Sequence, residues 1–97
     1  NLDSRYISMF DLKDLRCFVA TYELGGFARA ARALNTVQSS VSARIKRLEH
    51  LIGAPLFERK HRCIAATAKA DLLYQHAKRV LGQVDELQSA VRGKQVA

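Results

Sequence analysis

The residues with most chemistry to offer lie between positions 38 and 47, in QSSVSARIKR. Gln38, Ser39, Ser40 and Ser42 bring short hydrogen-bonding groups, and Arg44, Lys46 and Arg47 follow with cations. Val41, Ile45 and Leu48 keep helical spacing, which predicts one helix with an apolar face and, opposite it, hydroxyls first and cations after. Serine is a poor residue for an ordinary solvated helix surface, because its hydroxyl competes for the backbone. Such a set makes and breaks no covalent bonds. The sequence offers no paired carboxylates, no metal-ligand spacing and no nucleophile beside an oriented base, so no enzyme is expected, and no cofactor. What these residues can do is donate, accept and neutralise.

The charge distribution says what they would neutralise. The formal net charge is +7, and between positions 29 and 62 eight cations face only Glu49 and Glu58. A third of the chain thus holds nearly all the excess, a pattern suited to a polyanion whose counterions are released on binding. Simple solubility is the alternative. Ninety-seven residues can bury one core, and the apolar content and single proline fit a folded, mostly helical domain. No run is long enough to span a membrane, and residues 1 to 8 lack the apolar stretch of a signal peptide, so a cytoplasmic location is expected. Cys17 and Cys63 lie outside any CxxC pattern and are expected as free thiols. His50, His61 and His76 read as surface residues.

The elements that would position QSSVSARIKR follow from caps and periodicity. Asp11 can cap a helix carrying Leu12, Leu15, Phe18, Val19 and Tyr22, ended by Gly25-Gly26. A shorter helix from Phe27 to about Leu34 exposes small Ala30 and Ala31 to a close neighbour, and Asn35 suits the turn that follows. The third helix runs to Ile52 and stops at Gly53 before Pro55. Two helices joined by about three residues, the second polar and basic outside, make a helix-turn-helix. Leu56 and Phe57, a charged tip of Lys60, His61 and Arg62, and a return through Ile64 predict a hairpin, the wing. Thr67 can cap a last helix over 68–91. Along it Leu73, Ala77, Val80, Val84, Leu87 and Val91 recur every three or four residues, a heptad seam predicted to pair with a second copy.

In order, LKDLRCFVA, GGFARAARALN, QSSVSARIKRLEHLIGAPLFER and a threonine opening a long helix resemble the N-terminal DNA-binding domain of a LysR-type transcriptional regulator. The resemblance covers residues 9 to about 92. It implies a mainly α fold, with a winged helix-turn-helix over 9–66 and a linker helix over 67–92 that pairs antiparallel in a dimer or, at full length, within a tetramer. Residues 93–97 would be a tail and residues 1–8 an extension, native or introduced. It also implies a bacterial regulator binding double-stranded DNA on an inverted repeat, with any small-molecule effector bound only by a C-terminal domain absent here. Three departures stand out. Thr36 and Val37 shift or weaken the cap of the third helix, Ala43 replaces a common long side chain, and Ala70 replaces glycine.

About 100° per residue from Val41 puts Ser39 and Ala43 at the outward pole, with Lys46 and Arg47 beside it. Small residues there let a helix axis approach base edges in the major groove. Gln38, in the first turn, is the leading base reader; the bland reading is a polar residue in water. Ser39 and Ser42 are further candidates at the bases. Arg29, Ser40, Arg44, Lys46 and Arg47 are phosphate candidates, Arg44 with its stem along the domain. Arg62 is expected in the minor groove, in keeping with the resemblance, with Lys60 and His61 assisting through the backbone. Arg59 either meets phosphate or pairs with Glu49. The competing functions are a non-specific nucleic-acid or nucleoid binder and a coiled-coil interaction module.

Overall fold

The structure is a computed structural model and describes residues 10–93; the expectations for the 1–8 extension and most of the 93–97 tail lie outside those residues. The order is α1 (Leu12–Leu24), α2 (Phe27–Ala33), α3 (Gln38–Ile52), β1 (Phe57–Lys60), β2 (Cys63–Ala66) and α4 (Ala68–Val91). This is the mainly α, three-helix core with a hairpin and a long last helix that the patterning predicts.

Local chemistry sets most of the boundaries. The Asp11 carboxylate accepts from Lys13 N at 2.8 Å, capping α1, and Gly25 ends that helix at φ +76°. Asn35, at φ +59°, makes the left-handed step between α2 and α3. The N-cap of α3 is Val37, 61% exposed and with no side-chain hydrogen bond to the helix, so the expected weakness of this cap is real. β1 and β2 pair antiparallel, Phe57 opposite Ala66 and Lys60 opposite Cys63. The two-residue turn lacks glycine and asparagine; His61 itself takes the positive φ, +56°. Thr67 caps α4 by accepting from Ala70 N, and its hydroxyl lies 2.8 Å from Pro55 O, so one residue starts the helix and closes the base of the wing.

Phe18, Val41, Leu48 and Leu56 are fully buried at the centre, each contributing about 1.5–3 kcal/mol by leaving water. Ala30 and Ala31 are buried too, bringing α2 close to its neighbours as their size suggests. On α1 the expected apolar stripe differs at one end. Leu12 is exposed, whereas Asp14 and Thr21 are wholly buried.

α4 corrects the expected seam. Ala70, Ala77 and Leu81 are buried in this chain's own core, and Leu73 packs against it. Ala77 and Leu73 therefore serve the monomer. Val80, Leu87 and Val91 are exposed at 44, 60 and 74%, and Val84 is half-buried. These four centre about 70° around the helix from the buried line. The first half of α4 is fixed to α1: Tyr22 and Tyr74 stack with centroids 4.1 Å apart, Tyr22 OH donates to Asp71 and Tyr74 OH to Glu23. Accepting from Tyr74, and then from Lys78 at 3.1 Å, holds Glu23 below the usual carboxylate range.

Candidate nucleic-acid interface

α3 has two flanks and a low ridge between them. On the ridge Ser39 and Ala43 are exposed and short. Gln38 is exposed at the first turn, Ser42 is half-buried and Lys46 is exposed, all on the side facing the wing. Together with the ridge they line a shallow hollow of about 500 Å³. Among the described residues no ion pair engages Lys46. Val37 offers α3 no side-chain cap; its carbonyl accepts from Ser40 N at 3.1 Å, and the earlier amides of the turn receive no acceptor from its side chain.

The other flank is occupied. Arg44 Nη1 donates to Asp14 Oδ1 at 2.8 Å, and Arg47 Nε sits 3.2 Å from Asp14 Oδ2. The hydrogen bond to Asp14 raises the Arg44 pKa beyond the ordinary arginine value. Arg44 was expected at phosphate; its charge is committed to a buried acid on α1, and its side chain keeps only 35% exposure. Arg47 keeps 60%. Burial raises the nearby Cys17 thiol pKa, opposed in part by Arg44, so this thiol stays neutral in the core.

On the wing, Lys60, His61 and Arg62 are all exposed around the tip. Arg59 does not pair with Glu49. Its guanidinium lies 5.6 Å from the Phe27 ring centroid, and Phe27 packs edge-on against Phe57. Glu49 accepts instead from Leu56 N at 2.8 Å, fixing the chain where it leaves α3 for the wing. Between the start of α2 and the wing lies a cleft of about 400 Å³ whose lining includes Arg29, Arg32, Gln38, Arg59 and Arg62. Arg29 is partly spent here, donating to Leu24 O at the end of α1.

The structure thus gathers Gln38, Arg29, Arg59, His61 and Arg62 around one cleft, and sets Ser40, Arg44 and Arg47 apart on the far flank with Asp14. The residue missed by pattern reading is Asp14. Its signal was its place four before Phe18 and seven before Thr21, a carboxylate on a buried stripe.

Helix, turn, helix and hairpin, with a cationic face over the second and third, define a winged helix-turn-helix module. The family described as bacterial regulatory helix-turn-helix protein, lysR family, matches residues 12–71, and the chain belongs to it. The SDS degradation transcriptional activation protein of Pseudomonas sp. (strain ATCC 19151) is 45% identical over 83 residues, covering 86% of this chain and 27% of that protein. The probable cat1 operon transcriptional activator of Acinetobacter lwoffii is 40% identical over 82 residues, covering 84% and 27%. The chain therefore spans about a quarter of these relatives' length. Among solved structures, the BenM DBD in complex with catB site 1 DNA superimposes with a TM-score of 0.81 at 35% identity, covering 86% of this chain and 93% of that one. The CbnR DBD–DNA complex gives 0.80 at 30%, covering 87% and 97%.

Proposed function

We propose that this chain binds double-stranded DNA sequence-specifically as part of a bacterial transcription regulator, with α3 in the major groove and the wing at the minor groove. The reading is non-enzymatic and cytoplasmic, and any effector response rests with the rest of the regulator. One observation carries it: the low ridge of Ser39 and Ala43 is flanked by Gln38 and Lys46, whose side chains no hydrogen bond or ion pair engages among the described residues, beside the exposed Arg62. Small residues admit the helix, Gln38 can pair with adenine N6 and N7, and the wing cation suits a narrow groove of high negative potential.

A non-specific polyanion binder gains from every free cation. Here Arg44 and Arg47 share a buried carboxylate and Arg59 lies on an aromatic ring, so the face is shaped at the expense of its charge. The test is selection of bound duplexes from a random pool, followed by titration of the selected duplex and its scrambled version at two salt concentrations. Preference for the selected duplex at both salts is expected; equal affinity contradicts the reading.

Pairing of two copies through Val80, Val84, Leu87 and Val91 belongs to the same proposal, because these apolar residues on α4 lie off the face packed on the core. An inverted-repeat site follows from the two-fold symmetry of such a dimer. Val84→Asp is expected to convert a dimer to monomers by sedimentation, and an intact dimer would remove this face from the assembly.

A further inference from the structure

Asp14 is out of place on a basic face. It is wholly buried between α1 and α3, and it holds two arginines of α3 unequally. Arg44 is tied by a 2.8 Å hydrogen bond, whereas Arg47 makes an ion contact at 3.2 Å with Oδ2, an oxygen that has no hydrogen-bond partner. Burying a carboxylate costs desolvation, and packed apolar residues of similar volume commonly stabilise a core at least as well as a buried ion pair. It also subtracts charge from a surface that binds polyanions. Stability and bulk affinity therefore leave the acid unexplained.

We propose that Asp14 is a positioning residue for sequence discrimination, acting through Arg44 and Arg47. The inference rests on the reading of α3 as the DNA-reading helix. Asp14 faces Nε of Arg47, so the terminal Nη groups of a side chain 60% exposed remain for a phosphate oxygen. Arg44 is held back along α1. One constrained cation on this flank meets the backbone in one register, and phosphate contacts of that kind set where a recognition helix sits. Gln38, on the opposite flank, is then offered to one base pair. Without the acid, two long cations pair with phosphates in many registers and favour any sequence.

The experiment compares wild type with Asp14→Asn, which removes the charge and keeps the shape, on the selected duplex and its scrambled version at two salt concentrations. The expected result is a loss of about tenfold in the ratio of specific to non-specific affinity, with scrambled-duplex binding equal or tighter and a salt slope unchanged or steeper. An unchanged ratio, including an equal loss on both duplexes, overturns the proposal, since a residue that only supports the fold weakens both alike. A wild-type chain that does not discriminate removes the underlying reading, and the role of Asp14 with it; the wild-type arm separates the two failures. Side-chain 15N relaxation of the free wild-type protein tests the same point even where the variant does not fold. Arg47 Nε is expected to be ordered beside a mobile Arg62, and equal mobility of the two overturns the proposal.

Discussion

The two flanks of α3 begin with similar material and end with different properties. Arg44 and Arg47 face α1 and close on Asp14, while Gln38, Ser42 and Lys46 face the wing without ion pairs. In the sequence Lys46 and Arg47 are adjacent cations with equal claims on phosphate. One buried carboxylate on another helix separates them, so the availability of a charge depends on what lies beneath it as much as on which way its helix position faces.

The largest expected effect breaks the occupied flank. Asp14→Ala leaves the two arginines without their acid and is expected to cost about 3 kcal/mol, near the low end for a broken buried pair because both arginines can turn to water. Urea unfolding measures it, and a loss below about 1 kcal/mol would show that the clamp contributes little to the fold. Next comes the open flank. Gln38→Ala is expected to weaken binding to the selected duplex by about 1–3 kcal/mol and leave the scrambled duplex unaffected. Equal losses on both would make Gln38 a backbone contact. Lys46→Ala and Arg62→Ala are each expected to flatten the salt dependence by about one phosphate equivalent. An unchanged slope takes that residue off the contact surface. The smallest effect is a control remote from both flanks: Gly82, mid-α4, has open space where a Cβ would stand, so Gly82→Ala is expected to stabilise by about 1 kcal/mol without changing DNA affinity. Destabilisation in a melting experiment would contradict that account of α4.

Much of the fold is legible because it follows from local rules. Asp11, Gly25, Asn35, Gly53 and Thr67 each mark a boundary by their own backbone or capping chemistry, and the apolar spacing of α3 places Val41, Ile45 and Leu48 in the core. What local rules miss depends on three-dimensional partners. Glu49 and Arg59 have opposite charges and suggest a pair, but an unsatisfied backbone N–H at Leu56 takes the acid and the Phe27 ring takes the cation. Heptad counting merges two faces of α4, since Ala77 fits both the seam and the core, and only the packing of α1 shows which face it joins. A count of apolar residues passes over Asp14, because a polar residue can occupy a buried stripe when another helix supplies its partners.

The central claim is that α3 reads bases in the major groove while the wing meets the minor groove. Dimethyl sulfate tests it directly on the selected duplex, because guanine N7 lies in the major groove and adenine N3 in the minor. The expected footprint is protection of guanine N7 within each half-site and of adenine N3 at its flank, with the flank protection lost in Arg62→Ala. Unprotected N7 positions on a duplex that the chain binds would contradict it.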